Sequence, residues 1–94
     1  MKKEYKIVEV VWIDSCSNDR WMYLEDLDFT PIHCKSSGYL IKDEEDYIII
    51  ANSVGKNNEG DCNQCCGMIA IPRVAILDFN VIIDPELRVS NPTP

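Results

Sequence analysis

The sequence has few of the residues from which catalytic and cofactor sites are commonly built. It contains one histidine and only four glycines, which lie apart at Gly38, Gly55, Gly60 and Gly67. Scattered glycines exclude the glycine-rich loops that hold phosphates in nucleotide-dependent enzymes. No apolar run approaches the roughly 20 residues of a membrane-spanning helix, and no internal repeat or low-complexity tract occurs. These absences argue against a membrane protein and against most nucleotide-hydrolysing enzymes.

Positive charge is also scarce. Nine Lys and Arg residues against sixteen Asp and Glu residues give a net charge of -7 and an isoelectric point near 4.5. A protein with this charge repels polyphosphates, so we expect no binding to duplex DNA. A local basic patch would still allow binding of short single-stranded RNA, which is kept as an alternative.

Five cysteines are present, an odd number, and the N-terminal residues do not have the pattern of a secretory signal. The apolar stretch 7–13 is interrupted by Glu9 and has no small-residue cleavage site after it. We therefore expect a cytoplasmic protein with reduced thiols.

Three of the cysteines are close together. Cys62 and Cys65 have the Cys-x-x-Cys spacing that places two thiolates on one metal ion, and a zinc site needs four ligands. Candidates for the remaining ligands are Cys66, Cys16, His33 and Cys34. Because there is no second Cys-x-x-Cys, we predict no metal site and no cofactor, with zinc at Cys62, Cys65 and Cys66 as the open alternative.

Short runs rich in β-branched and aromatic residues predict strands. The predicted strands cover residues 4–13, 32–42, 47–53, 66–72 and 73–79, the last with an extension towards residue 83. Residues 20–29 are predicted to form a short helical turn or flap, and residues 54–64 a solvated loop. Residues 47–51 are apolar on both faces, which is typical of a barrel, a sandwich or a subunit interface.

This order of elements predicts an all-β fold, a small five-stranded SH3/Sm-like barrel with the flap after its first strand. The barrel domain is expected over residues 1–84 and a loose C-terminal tail over residues 85–94. A glycine-dependent bend is expected at residues 36–38.

Two resemblances support this fold. The segments 38–40, 46–50 and 71–76 resemble the Sm-like barrel of bacterial Hfq, in which strands of neighbouring subunits pair to form rings. Over more of its length the chain resembles small uncharacterised proteins of phages and prophages. The residues that carry this second likeness are Trp12-Ile13-Asp14-Ser15, Trp21, Gly38-Tyr39-Leu40-Ile41 and Ile71-Pro72-Arg73-Val74-Ala75-Ile76.

The resemblances and the aromatic residues together predict a ligand site. The predicted ligand-binding residues are Trp12, Asp14, Ser15, Trp21, Tyr39 and Arg73. The aromatic rings would stack on a base or another planar group, and Asp14 and Ser15 would form hydrogen bonds with it. Arg73 stands where the Hfq resemblance implies a charged contact to uridine. The alternative is that the aromatic residues close the barrel end and that Arg73 pairs with acidic surface residues.

No catalytic residues are predicted. His33 and Cys34 are neighbours on a predicted strand, so their side chains would point to opposite faces and would not share a proton. The acidic run 43–46 is predicted to be a solvated hairpin turn that protects a sheet edge.

These expectations lead to one main functional hypothesis and two alternatives. The chain is predicted to be a non-enzymatic, homo-oligomeric, phage-type barrel that binds a small nucleotide, with sequestration of a host immune nucleotide as the role. In that case it would act in the cytoplasm of the host cell. The alternatives are a protein-interaction module that blocks a host protein and an Hfq-like binder of short single-stranded RNA.

Overall fold

The computed structural model describes residues 4–87, which form a single antiparallel sheet of five strands. The strands are β1 (Ile7–Asp14), β2 (Ile32–Asp43), β3 (Tyr47–Lys56), β4 (Cys62–Pro72) and β5 (Ile76–Ile83). Single 3₁₀ turns occupy Leu24–Asp26, Arg73–Ala75 and Pro85–Leu87. The predicted all-β class is confirmed, as is the short helical turn that follows the first strand.

One predicted loop is wrong. Residues 54–64 were expected to be solvated loop, but β3 continues to Lys56 and β4 begins at Cys62, with Val54 opposite Cys65. The reversal is confined to a tight turn in which the Asn57 Oδ1 atom accepts hydrogen bonds from the backbone N–H groups of Glu59 and Asp61. Two backbone hydrogen bonds close the same turn, from the Asn57 N–H to the Asp61 carbonyl oxygen and from the Gly60 N–H to the Asn57 carbonyl oxygen. Asn57 thus organises the turn, and the polar residues before Asn57 and after Asp61 lie in β3 and β4.

The end of the chain also differs from expectation. Residues 73–75 form a 3₁₀ turn between β4 and β5, so the fifth strand begins at Ile76 and not at Arg73. Residues 85–87, expected to belong to a loose tail, form a further 3₁₀ turn. The predicted tail beyond that turn lies outside the described residues.

The strand order is β4-β3-β2-β1-β5, so β4 and β5, which follow each other in the sequence, lie at opposite edges of the sheet. The last residue of β4, Pro72, and the first of β5, Ile76, are separated by only three residues. Four Cα–Cα steps span at most about 15 Å, whereas the edges of a flat five-stranded sheet lie about 19 Å apart. The sheet must therefore curl to bring its two edges together at the Arg73–Ala75 turn.

A cavity at the other end of the sheet is consistent with this curl. It has a volume of about 180 Å³ and is lined in part by one residue from each strand: Ile7, Tyr39, Val54, Cys62 and Ile83. Strands β4 and β5 therefore both approach the same space, although they are not hydrogen-bonded to each other within residues 4–87.

The core lies on the concave side of the curled sheet. Along β1 the buried residues alternate as the sequence predicts, with Val8 and Val10 fully buried and Trp12 8% exposed. Facing residues from the other strands complete the cluster: Leu40, Ile48, Ile50 and Ile71. The indole Nε1 of Trp12 donates a hydrogen bond to the Ser36 Oγ atom over 3.1 Å, so its polar group is satisfied on burial.

Gly38 allows two strands to approach closely. A Cβ atom at this position would lie 2.5 Å from the carbonyl oxygen of Ala51, a distance that no side chain can occupy. The irregularity in the β2–β3 pairing lies between Leu40 and Lys42, not at the predicted bend. Gly38 is therefore required because of backbone contact with the neighbouring strand.

We predict that Gly38→Ala destabilises the fold by about 2 kcal/mol, because the methyl group forces β2 away from the Ala51 backbone. Gly55→Ala is the matched control in β3, where the new Cβ would lie 3.4 Å from the Gln64 Cβ and 3.9 Å from the Gln64 carbonyl oxygen. Urea unfolding of both variants measures the difference. Equal free energies of unfolding for the two variants would contradict this account of Gly38.

Candidate functional site

The six residues predicted to bind a ligand lie at two different ends of the sheet. Trp12 pairs in register with Cys34 on one side and Ile76 on the other, next to the Arg73–Ala75 turn. Tyr39 pairs with Ile7, five residues earlier on β1, which corresponds to about 17 Å along a strand. Tyr39 and Trp12 therefore do not line a common pocket within the chain.

Trp12 and Trp21 have contrasting environments. Trp12 belongs to the core cluster. Trp21 lies in the segment that connects β1 and β2, and its side chain is fully exposed. Of the two indole rings, only that of Trp21 is open to contact from another molecule.

Asp14 and Ser15 follow the buried part of β1. Asp14 is the last residue of the strand, paired in register with Ile32, and both side chains are exposed. They lie at the end of the sheet from which the β1–β2 connection emerges. Their carboxylate and hydroxyl groups are accessible to a partner.

Arg73 connects the β4–β5 turn to the turn between β2 and β3. Its guanidinium forms an ion pair with the Asp43 carboxylate, and its Nε donates a hydrogen bond to the Glu44 carbonyl oxygen over 2.7 Å. The Arg73 backbone N–H donates to the Asp46 carbonyl oxygen over 3.0 Å. Arg73 thus pairs with the acidic turn, as in the alternative weighed above, and a ligand would have to compete with these contacts.

We predict that Arg73→Gln lowers the free energy of unfolding by about 1 kcal/mol, because both partners are partly exposed and solvent screens the ion pair. Asp43→Asn should cause a smaller loss, because it removes the ion pair but leaves the hydrogen bond from the Arg73 Nε to the Glu44 carbonyl oxygen in place. Since both changes remove the same ion pair, the double variant should be little worse than Arg73→Gln alone. Thermal denaturation at low and high salt measures all three. Fully additive losses of stability would show that Arg73 and Asp43 stabilise the fold independently and not through their ion pair.

Tyr39 contributes to the cavity that all five strands line. Lys56 and Glu4 also line this cavity, so its lining includes one basic and one acidic residue. A neighbouring cavity of similar volume, about 180 Å³, includes Cys62 and Cys65 in its lining. The two spaces are small compared with the several hundred cubic ångströms of common ligand pockets.

The cysteines are not arranged as a metal centre of three or more ligands within the described chain. All five are free thiols, and among residues 4–87 no group of three or more His, Cys, Asp or Glu side chains has an arrangement that would hold a metal ion. His33 is exposed, whereas Cys34 packs against the core. The two side chains therefore point to opposite faces of β2, as predicted.

The most unusual surface lies between β1 and β2. We call residues 15–31 the arm. Its large apolar side chains are exposed to at least 38%, and three of them, Trp21, Tyr23 and Leu24, to more than 75%. No residue of its 3₁₀ turn is buried. Ser15 and Trp21 are the predicted ligand-binding residues that lie in the arm. The prediction missed the other exposed apolar side chains, and the signal for them is their density around a single short helical turn.

Comparison with known proteins gives no further constraint: no family model, curated protein or solved structure matches this chain. The resemblances to Sm-like barrels and to phage proteins therefore stay predictions. No helix within the described range, residues 4–87, is long and apolar enough to cross a membrane.

Proposed function

We propose that the protein is a non-enzymatic homo-oligomer of curled sheets, each a small Sm-like barrel, that binds a small ligand where subunits meet. The observation that carries the proposal is that both edge strands of the sheet are unpaired on their outer side within residues 4–87. Strands β4 and β5 have a partner strand on one side only within residues 4–87. Both edges also expose large apolar side chains: Met68 on β4, and Leu77, Val81 and Ile82 on β5.

Unpaired edges of this length favour pairing with another chain. Soluble proteins commonly protect an edge strand with charged residues, a bulge or a covering segment. Here β4 has 11 residues and β5 has 8. The register of β5 against β1 shifts at Leu77 and at Ile82, so the regular stretch 78–81 is the part of β5 that would form an intermolecular ladder. Pairing β4 of one subunit with β5 of the next would satisfy both edges, and repetition of this head-to-tail contact would give a ring if the rotation closes.

The ligand proposal rests on the groups that remain accessible near the ends of β1 and β2. Trp21 and Tyr23 offer exposed aromatic faces for stacking, and the exposed Asp14 and Ser15 offer polar groups for a base edge or a ribose. Trp12 would then support the site from the core, and Tyr39 would belong to a second cavity. A nucleotide matches these groups best, and the phage resemblance suggests an immune nucleotide signal of the host that the protein sequesters.

The edge proposal predicts a change in mass. Native mass spectrometry of the purified protein should report an oligomer, and Met68→Lys with Leu77→Lys should release monomers, because like charges would face each other across the β4–β5 ladder. Both side chains are more than half exposed, so the subunit fold should tolerate the change. Val74→Lys is the matched control, since Val74 is 98% exposed and lies outside both strands. A monomeric wild-type protein at high concentration would refute self-assembly.

The ligand proposal predicts a change in thermal stability. A nucleotide at 100 times its dissociation constant should stabilise the protein by about 2.7 kcal/mol, measured as a shift in Tm across a panel of linear and cyclic nucleotides. Asp14→Asn should reduce this shift, while Asp19→Asn, an exposed acidic residue outside the predicted site, should retain it. If no nucleotide shifts Tm and oligo-U does so in a salt-dependent way, the RNA alternative replaces this proposal.

A protein-blocking function is the second candidate, and the exposed arm favours it. Residues 19–28 combine four acidic side chains and one arginine with five large apolar ones. This combination would also suit a host protein with a basic rim around an apolar groove. A partner of this kind would bind the wild-type monomer, and its binding affinity would fall as salt is added.

A further inference from the structure

Two cysteines line one cavity at the end of the sheet opposite the Arg73–Ala75 turn. The cavity has a volume of about 180 Å³, and the apolar side chains of Ile41 and Val54 line it together with Cys62 and Cys65. Both thiols are partly buried and free. A pair of sulfur atoms at one cavity is a feature that neither the edge pairing nor the ligand site near β1 uses.

A β-bulge places these two thiols on the same face of the sheet. On a regular strand, residues three positions apart point to opposite faces. The pairing of β3 with β4 shifts by one residue here, since Cys65 pairs with Val54 whereas Cys62 pairs with Lys56. The extra residue of β4, Asn63, forms the bulge. Because Val54 and Lys56 are two residues apart on β3 and paired residues share a face, Cys62 and Cys65 also share one.

The shared face is the inner face of the curled sheet. Ile48 and Ile50 are buried in the core, and Val54 lies on their face of β3 by the period of two. Cys66 pairs with Ser53 and is exposed, so its thiol points to the outer face. The three neighbouring cysteines therefore do not converge on one point within the chain, and only two of them form a pair.

The separation of the pair suits an ion between the sulfur atoms better than a disulfide. Positions two residues apart on a strand are separated by about 7 Å. Disulfides usually join Cα atoms about 4.4–6.8 Å apart and Cβ atoms about 3.8 Å apart, and side chains that project in parallel keep their Cβ atoms further apart than this. Two metal–sulfur bonds of about 2.3 Å each instead bridge sulfur atoms up to about 4.6 Å apart. Parallel cysteine side chains that lean towards each other can meet that distance.

The number of ligands selects the class of ion. Zinc needs four ligands, and among residues 4–87 no group of three or more His, Cys, Asp or Glu side chains is arranged to hold a metal ion. Two thiolates are enough for a soft monovalent ion such as Cu(I), which prefers sulfur ligands and binds two of them in a line. Binding releases one proton from each thiol and leaves a complex with one negative charge. Lys56, the in-register partner of Cys62, places a positive charge beside that complex.

We infer that Cys62 and Cys65 together bind one soft monovalent metal ion, represented by Cu(I), between their thiolates at the open end of the curled sheet. Ile41 and Val54 form an apolar wall on one side of this site. The site uses side chains on the inner face and not the outer backbone groups of β4. It is therefore independent of the proposed self-assembly and of the proposed nucleotide ligand.

The test measures Cu(I) binding to the full-length protein and to three single variants. Cu(I) is supplied without oxygen as its acetonitrile complex, and bicinchoninate competes for it. The wild-type protein should retain one Cu(I) per chain, with two sulfur neighbours in X-ray absorption. Cys62→Ser and Cys65→Ser should each lower the affinity by more than about a hundredfold, since losing a ligand costs more than the 10–100-fold typical of outer-shell losses. Cys66→Ser, on the same strand but the opposite face, is the matched control and should bind as the wild type does.

Thiol protection in the wild-type protein provides a readout that does not depend on how the variants fold. Cu(I) should block the alkylation of Cys62 and Cys65 by iodoacetamide, measured for each residue by peptide mass spectrometry. The exposed Cys66 should react at the same rate with and without the ion.

Four results would overturn the inference. Binding that survives both Cys62→Ser and Cys65→Ser would mean that the ion lies elsewhere. Protection that extends to Cys66, or more than two sulfur neighbours in the absorption spectrum, would show a different ligand set. A Cys62–Cys65 disulfide that forms readily in air would contradict the separation of the two thiols.

Discussion

The three residues Arg73–Ala75 connect strands at opposite edges of a five-stranded sheet. This short connection forces the sheet to curl, and the Arg73 contacts to the Asp43–Asp46 turn stabilise the curl at that end. Curling places Val8, Val10, Ile48 and Ile71 together in a core from which solvent is excluded. It also brings β4 and β5 close to each other without hydrogen-bonding them. The same constraint thus forms the core and leaves, among residues 4–87, two edges without a partner strand.

The small core explains why a partner is expected. Eight hydrophobic residues are buried among those described, while thirteen large hydrophobic residues are exposed. Isolated exposed apolar residues are ordinary on protein surfaces, but contiguous ones mark interaction sites. Here six of them lie on the arm, three on β5 and one, Met68, on β4. Within residues 4–87 these two strands are paired on one side only. Self-assembly would bury these side chains and would complete a domain that is near the lower size limit for an independent core.

Most of the fold is predictable from the sequence because period-two alternation and β-branched residues report directly on burial. The pattern around Val8, Val10 and Trp12 identifies the inner face of β1, and Gly38 is recognisable as a constrained position. The strand limits around residues 54–64 are not predictable, since they depend on the turn that Asn57 organises and not on local polarity. The site is predicted less well. Sequence proximity suggests that Trp12 and Trp21 act together, whereas Trp12 is buried in the core and Trp21 is fully exposed.

Hydrogen–deuterium exchange of the backbone amides in β4 and β5 tests the central claim most directly. If the curled sheet completes its edges on neighbouring copies, the outward-facing amides of both strands are protected at high protein concentration. They then lose that protection together on dilution, while the amides of β1 and β2 remain protected. Rapid exchange at both edges at every concentration, with the central strands protected, would contradict the account, because it would mean that the subunit is stable with its edges open.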